Sequence, residues 1–377
     1  DMDVTRATDA TRVDENGLIE DVLANVPRID YTGGGCPHIL AEPQRTNEVT
    51  YSEDFSQWTL TDITLGSDGV SPSGETNANL IQTGTSGGDQ VTKAFTLSAT
   101  NTTTYSVFIK RVSGAEWVDF LLVKLGFSNS VKVWFNINTG AVGSNIQGGT
   151  TTLDNASVES FGNNWYKLNV TTTDTTNNTA FNIRVRTASA DGSDTRVNDS
   201  SYYLWGMQLE EGSYATSYIP TSGSTVTRNQ DIFTRDGIGS LINSTEGVLF
   251  VEMAALSNDL TERRITLSDG SSSDRVAIEY TLSSNQVKGR VVSESSTSAN
   301  MNFTTGDIEN FNKIAIKYKL NDFALWINGT EVVTDTSGAA PVGLNKLSFD
   351  NGSGSSPFLG KVKQLQVYDT ALSDAQL

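Results

Sequence analysis

The residues that could carry catalysis are few, and they centre on a single histidine, His38. A Ser-His-Asp arrangement would need this imidazole as its base, and no G-x-S-x-G pattern between a strand and a helix supplies the nucleophile. Cys36 is the one cysteine, so the chain lacks the ligands of an ordinary zinc site. The glycines at 33–35 lack the Lys and following helix of a phosphate-binding loop. We interpret His38 as a turn histidine and predict no enzyme of these classes.

Paired carboxylates are the remaining catalytic chemistry, since glycoside hydrolysis needs only two of them, roughly 5 to 10 Å apart. The chain has 44 Asp and Glu residues, so chance pairs are numerous, and none lies in a recognisable catalytic pattern. We therefore predict a non-enzymatic protein. A polysaccharide-cleaving enzyme, or the binding part of one, stays open as an alternative.

Outward aromatic and planar polar side chains on predicted strands suit sugar recognition. In the run VKVWFNIN (131–138) alternate residues share a face, so Trp134 projects away from Val133 and Phe135. Aromatic rings stack on the C–H faces of sugars, and guanidinium groups donate to hydroxyls. The alternative for each ring is a cover formed by the N-terminal segment, a loop or a neighbouring subunit. The same parity count on other strands completes the glycan-binding candidates: Phe108, Trp134, Trp165, Arg184, Arg186 and Trp326.

Short strands joined by polar turns must position these residues. Hydrophobic residues make up 37% of the 377 and charged residues 19%, and the alternating runs predict an all-β fold of two tandem antiparallel β-sandwiches. We divide the chain into a lead-in segment (1–47), a first sandwich (48–221), a short linker (222–230) and a second sandwich (231–377). The lead-in has too few apolar residues for its own core. We expect it to pack on the next domain or on a neighbouring subunit.

The net charge of −18 limits the partners. A surface this acidic repels phosphate backbones, which argues against nucleic acid and against anionic membranes. No apolar run approaches the ~20 residues that span a bilayer, so we predict no membrane insertion. The chain begins at Asp1 without a Met, and we expect it to be a trimmed or partial product.

Two acidic loops in the second sandwich are candidate sites for structural Ca²⁺, which prefers carboxylate and carbonyl oxygens. The loop SDGSSSD (268–274) supplies Asp269 and Asp274, and the loop FDNGSGSS (349–356) supplies Asp350 and Asn351. The same residue types are ordinary turn formers. No cofactor is required by the sequence, and Ca²⁺ is the one candidate.

Six runs of the sequence share one pattern of similarity: CPHILAEPQRTNEVTYSEDFSQW (36–58), YLWGMQLEEGSYATSYIPTSGSTVTR (203–228), EGVLFVEM (246–253), DRVAIEY (274–280), NKIAIKYKLNDFALWINGTEV (312–332) and PFLGKVKQLQVYDTALSDAQL (357–377). Together they resemble virion proteins of tailed bacteriophages, especially tail or head fibre components. The resemblance covers almost the whole chain. It implies a carbohydrate-binding-module-like jelly roll at 48–221, followed by a concanavalin A-like, LamG-type sandwich at 231–377.

The resemblance also implies a location and partners. The protein would lie on the virion surface and contact host polysaccharide and other virion proteins, as a homo-oligomer that is trimeric by analogy. Similar modules occur in secreted bacterial proteins, which is the alternative location. We therefore predict a host-glycan-binding fibre or decoration component, with a purely structural virion subunit as the alternative.

A calcium site in the jelly roll is a further implication of the resemblance. Such jelly rolls often hold Ca²⁺ through an acid just after the first-strand aromatic and another acid in the last strand. The acids near these positions are Glu53, Asp54 and Glu210. This sequence departs from the pattern, because Ser56 rather than Glu follows Phe55.

Overall fold

The computed structural model describes residues 2–96, 102–124, 130–175 and 180–377. Within these ranges the chain forms short strands joined by turns, with two 3-10 helices at Phe55–Gln57 and Gly239–Leu241. No helix in these ranges has the length and apolar character needed to cross a membrane. The lead-in contributes β1 (Asp3–Thr5), β2 (Ala10–Val13), β3 (Ile19–Val22), β4 (Ile29–Asp30), β5 (His38–Ala41) and β6 (Arg45–Asn47).

The strands of the first sandwich are divided between two sheets. They are β7 (Thr59–Thr61), β8 (Ile63–Leu65), β9 (Gly69–Val70), β10 (Thr76–Thr83), β11 (Gln90–Thr96), β12 (Thr102–Ser113), β13 (Trp117–Lys124), β14 (Ser130–Asn136), β15 (Ala141–Gly148), β16 (Thr151–Ser160), β17 (Tyr166–Asp174), β18 (Ala180–Ala188) and β19 (Ser201–Glu211).

The second sandwich follows the short strand β20 (Val226–Arg228), which pairs with the lead-in. Its own strands are β21 (Ile232–Arg235), β22 (Glu246–Ala255), β23 (Arg263–Ser268), β24 (Arg275–Tyr280), β25 (Gln286–Ser293), β26 (Ser296–Thr304), β27 (Asn312–Lys319), β28 (Asp322–Ile327), β29 (Thr330–Asp335), β30 (Lys346–Ser348) and β31 (Gly360–Tyr368).

Two antiparallel sheets enclose the core of the first sandwich. One has the order β16-β17-β12-β19-β10-β8, with β9 beside β10, and the other has the order β15-β14-β13-β18-β11-β7. Side chains alternate across each strand, so Val107, Phe120, Val133 and Met207 are fully buried between the sheets. Phe120 lies opposite Val133 on one side and Val185 on the other, which aligns the apolar rows of three strands.

The second sandwich takes edge strands from the lead-in. Its sheets have the orders β1-β21-β30-β23-β24-β25-β26 and β29-β28-β27-β22-β31-β5-β4. Strand β1 pairs antiparallel with β21, and β5 pairs antiparallel with β31. Leu249, Val251, Ile278 and Tyr318 are fully buried between these sheets. The chain is therefore an all-β protein of two tandem antiparallel β-sandwiches, and this part of the prediction is confirmed.

The lead-in packs on both sandwiches of its own chain. Its hairpin β2–β3 turns at Gly17, whose φ of 80° suits a residue without a Cβ. The hairpin lies on the outer face of the first sandwich, where Val13 and Ile19 join a cluster with Trp205. Strand β6 pairs with β20 just before the second sandwich begins. The segment thus connects the two domains, although it has no core of its own.

A buried ionic network holds the lead-in at the junction. Arg28 Nη1 lies 2.7 Å from Glu42 Oε2, and Arg228 Nη1 lies 2.8 Å from the same oxygen. Arg6 Nη1 lies 2.8 Å from Asp231 Oδ1, and Arg28 Nη2 also contacts Asp231. These five side chains are at most 3% exposed. Removing one partner from such a network leaves an uncompensated buried charge, which is strongly destabilising.

Candidate functional site

Phe108 and Trp165 point outward from their sheet, as strand parity predicts, but they are only 1% and 3% exposed. The lead-in hairpin covers this face, and Val13 and Ile19 pack into one cluster with both rings. Trp165 Nε1 donates to the carbonyl oxygen of Val70 at 3.3 Å. The predicted exposure of these two rings is wrong, because a segment about 90 residues upstream of Phe108 occupies the place that a sugar would take.

Trp134 also points outward and is fully buried. Residues 189–199 fold over it, and its Nε1 donates to the carbonyl oxygen of Ser193 at 2.9 Å. Lys132 Nζ lies 4.8 Å from the ring centroid and 2.5 Å from Asp194 Oδ1 in the same loop. The predicted exposure of Trp134 is therefore wrong as well. Its ring anchors the loop rather than facing solvent.

Trp326 is covered by the end of the chain. It is 9% exposed and clusters with Val248 and Ala315 on the outer face of the second sandwich. Leu372 and Leu377 pack against this cluster. The structure therefore does not present the Trp326 ring to solvent, in contrast to the prediction.

The acids predicted for a jelly-roll calcium site are engaged in separate hydrogen bonds. Glu53 accepts from Tyr218 Oη at 2.9 Å and from Asn77 Nδ2 at 2.8 Å. Asp54 and Glu210 each accept from a nearby backbone N–H at 3.0 Å. Burial raises the pKa of Glu53, which disfavours the charged form that a metal would need. These contacts fit turn and strand-end roles.

The second-sandwich acids have similar roles. Asp269 Oδ1 accepts a backbone N–H at 2.8 Å, and Asp350 Oδ1 accepts one at 2.6 Å. Asp274 Oδ1 accepts two, from Glu294 and Val342, at 3.2 and 2.8 Å. Across the described ranges, no group of three or more His, Cys, Asp or Glu side chains converges in a way that could hold a metal ion.

His38 begins strand β5, so its interpretation as a turn residue is wrong. Its side chain is 2% exposed, with Nε2 3.4 Å from Asp30 Oδ1 and the ring edge-on to Phe311 at 5.7 Å. Burial lowers the pKa of His38 to about 4, although Asp30 opposes the shift. The imidazole is therefore neutral at pH 7 and enclosed by protein.

One face of the first sandwich keeps aromatic and guanidinium groups near solvent. This open face is the outward side of the sheet β15-β14-β13-β18-β11-β7. Lys132, Arg184 and Arg186 on this face are half-buried rather than sealed. These three cationic side chains lie on one face although the net charge of the whole chain is −18. The residues that define the open face are Trp117, Asp119, Leu121, Lys132, Arg184 and Arg186.

Asp119 orients the guanidinium groups of the open face. It is fully buried, and its Oδ1 accepts from Arg186 Nε at 2.8 Å while its Oδ2 accepts from Arg196 Nη1 at 2.7 Å. Arg184 lies opposite Leu121 in the neighbouring strand. Its pKa is lowered by burial and by Arg186. Fixed planar donors of this kind lose little rotamer entropy when they bind a ligand oxygen.

Trp117 supplies the half-buried ring of the open face. It lies opposite Ala188 and Asn136, two positions before Asp119 on the same side of β13. Gly143 on β15 makes room for it, because a Cβ there would lie 2.5 Å from Trp117 Cζ3. Arg186 pairs with Asp119, so it is a diagonal neighbour of Trp117 on one face, at roughly 7 to 8 Å between backbones. Trp117 and Arg186 therefore lie on one face of neighbouring strands, with the Trp117 ring reaching toward β15.

Sequence reasoning missed Trp117, although a signal for it was present. The apolar alternation in the sequence begins at Val118, whereas strand β13 begins one residue earlier, at Trp117. Extending it by one residue places Trp117 on the side of Asp119, opposite Val118 and Phe120.

Comparison with known proteins gives similarities of structure alone. No protein-family model matches the sequence, and no curated protein matches it. The CBM40 of Ruminococcus gnavus IT-sialidase, solved with bound alpha2,3 sialyllactose, shares 16% identity over 37% of this chain and 83% of its own, with a TM-score of 0.31. Domains LG4-5 of the mouse laminin alpha1 chain share 10% identity over 73% of this chain and 86% of theirs, with a TM-score of 0.27.

A second laminin structure is similar to a comparable degree. The LG1-3 region of the laminin alpha2 chain shares 13% identity over 79% of this chain and 63% of its own, with a TM-score of 0.21. These similarities concern the fold. The function proposed below rests on this chain's own residues.

Proposed function

We propose that this chain is a non-enzymatic surface protein of a tailed bacteriophage and that the open face of its first sandwich binds host-surface glycans. The observation that carries the glycan assignment is a half-buried Trp117 on the same sheet face as Arg186, whose guanidinium group Asp119 holds in place. The ring suits the C–H face of a sugar. The planar cations suit its hydroxyl or carboxylate oxygens.

The other four outward aromatic rings are buried and so are not available to a sugar. Phe108 and Trp165 lie under the lead-in, Trp134 lies under residues 189–199, and Trp326 lies under the chain end. Each is covered by the same chain, so none depends on a partner for its cover. Trp117 combines partial exposure with neighbouring planar cations.

The non-enzymatic part of the proposal is supported by the surroundings of His38. The His38 side chain is 2% exposed and contacts Asp30 and Phe311. So little of this side chain is exposed that a polymer substrate has scarcely any access to it. The virion location is supported by the sequence runs that resemble fibre components of tailed phages, and a secreted bacterial protein is the alternative.

Binding of the full chain to host cells and to their purified surface polysaccharide tests the proposal. We expect saturable binding by the wild type, and loss of binding by Trp117→Ala with unchanged far-UV circular dichroism and melting temperature. Tyr368→Ala is the matched control, because Tyr368 is 36% exposed on the second sandwich. If the wild type in its native assembly does not bind, glycan binding is excluded and the alternative, a purely structural virion subunit, is favoured. Release of reducing ends or unsaturated sugars during incubation would show an enzyme instead.

A further inference from the structure

The second sandwich contains an apolar groove that the glycan assignment does not use. It lies between the sheet edges that the lead-in extends, with β1 and β21 on one side and β5 and β31 on the other. The cavity has a volume of about 790 Å³, which is within the range of roughly 300–1,000 Å³ for sites that hold a small organic ligand. Its apolar lining includes Met2, Ile39, Phe233, Leu241, Phe349 and Leu365.

The groove has a packed floor and an open rim. Phe233 and Phe349 form the floor, with ring centroids 5.1 Å apart and exposures of 1% and 4%. Ile39 and Leu365 are only partly buried against the core. Leu241 on the rim is 69% exposed. An apolar surface that is continuous from the core to solvent is the form that a ligand with a long apolar body would fill.

The charges around the groove favour an anion. The charged residues among the described ones that line it are Arg235 and Lys363, with no Asp or Glu side chain, although the chain has 44 acids against 26 Lys and Arg residues. Lys363 Nζ lies 3.9 Å from the ring centroid of Phe311, and within the described ranges it forms no ion pair with a carboxylate. Arg235 Nη1 lies 3.7 Å from Asp3 Oδ2, and the two side chains are 43% and 72% exposed, so this ion pair is weak.

We propose that this groove binds a free long-chain carboxylate, with its tail among the apolar side chains and its head group beside Lys363 and Arg235. The tail would cover Phe233 and Leu365. The carboxylate would accept charge-assisted hydrogen bonds from the two cations. This site is separate from the open face and would operate whether or not that face binds glycans.

Calorimetric titration of the full chain with dodecanoate, below its micelle concentration, tests the proposal. We expect saturable binding of one molecule per chain, and at least tenfold weaker binding of dodecyltrimethylammonium, which has the same tail and the opposite charge. Lys363→Glu should weaken dodecanoate binding about tenfold or more. Lys313→Glu is the control, because it makes the same charge change at an exposed position outside the groove and should leave the affinity unchanged.

A second variant tests whether the apolar lining of the groove contributes to dodecanoate binding. Leu241→Asp changes an exposed rim residue, so the fold should survive, and we expect a loss of dodecanoate affinity similar to that of Lys363→Glu. The proposal is overturned if wild type shows no saturable binding, if the cationic amphiphile binds equally well, or if neither variant changes the affinity. Sedimentation provides one more check. A wild-type dimer that Leu241→Asp converts to monomers would assign the groove to a second copy and overturn the proposal.

Discussion

Glu42 of the lead-in and Arg228 of β20 form a buried ion pair, with Oε2 and Nη1 2.8 Å apart and both side chains at most 3% exposed. The pair joins segments that are 186 residues apart in the chain. Burial opposes ionisation of Glu42, but Arg228 and Arg28 outweigh it and hold the pKa of Glu42 far below its usual range. The two sandwiches are therefore coupled through charges that must remain paired.

Glu42→Gln should destabilise the whole protein. The neutral amide leaves Arg28 and Arg228 without their shared counter-charge in a buried site, which costs about 3–5 kcal/mol. Urea unfolding followed by circular dichroism measures the loss. Glu20→Gln is the control, since the Arg12–Glu20 pair is exposed and should contribute less than about 1 kcal/mol. Equal small losses for the two variants would contradict the role given to the network.

The lead-in hairpin should stabilise the first sandwich by covering its aromatic cluster. Ile19 is 7% exposed and packs in that cluster, so Ile19→Ala should cost about 2 kcal/mol or more. Tryptophan emission should also shift to the red as Trp165 and Trp205 gain water. Leu23→Ala is the matched control, because Leu23 is 68% exposed and should change stability by less than about 0.5 kcal/mol. Similar losses of unfolding free energy in both variants would show that packing of Ile19 on the aromatic cluster does not stabilise the first sandwich.

Stability should fall on acidification because of His38. Its pKa is lowered from 6.5 to about 4 by burial, with Lys361 and Lys363 adding to the shift and Asp30 opposing it. The unfolded state therefore binds a proton below pH 6.5 that the folded state binds only near pH 4, and stability falls through this window as pH falls. The contribution is on the order of 3 kcal/mol.

Comparison of wild type with His38→Gln isolates this contribution from that of the carboxylates. The difference in unfolding free energy between the two proteins should change between pH 6.5 and pH 4 and be constant above pH 7. A constant difference across the whole range would contradict the burial of a neutral imidazole.

Gly143 should be needed for glycan binding although it contacts no glycan itself. In Gly143→Ala the new Cβ would meet Trp117 Cζ3 at 2.5 Å and Asp191 Oδ1 at 2.3 Å, so the ring must move. We expect at least about tenfold weaker polysaccharide binding with folding retained. Gly306→Ala is the control, because nothing lies within 4 Å of its Cβ position. Unchanged polysaccharide binding by Gly143→Ala would show that binding does not depend on the position of the Trp117 ring.

Strand parity predicted which way side chains point, but not what covers them. Trp134 and Phe108 do point outward from their strands, since alternation is a local property. Their covers, residues 189–199 and the hairpin around Ile19, lie far away in the chain, and no local pattern links them. The short lead-in strands could not be predicted for the same reason. Strand β5, for example, pairs with β31 more than 300 residues later.

The residues that define the open face were predicted only in part. Arg184 and Arg186 were found because they alternate with buried Ile183 and Val185. Trp117 was lost through an error of one residue at the start of a strand, which is where pattern reasoning is weakest.

The polysaccharide affinity of Trp117→Ala tests the central claim most directly. Host polysaccharide is titrated against the full-length wild type, Trp117→Ala and Trp326→Phe, the last being a buried control on the second sandwich. We predict that Trp117→Ala loses about 2 kcal/mol or more of binding free energy, roughly 30-fold in Kd, because a central aromatic contact is removed. Trp326→Phe should bind as the wild type does. Wild-type affinity in Trp117→Ala, with the fold intact, would contradict glycan recognition by the open face.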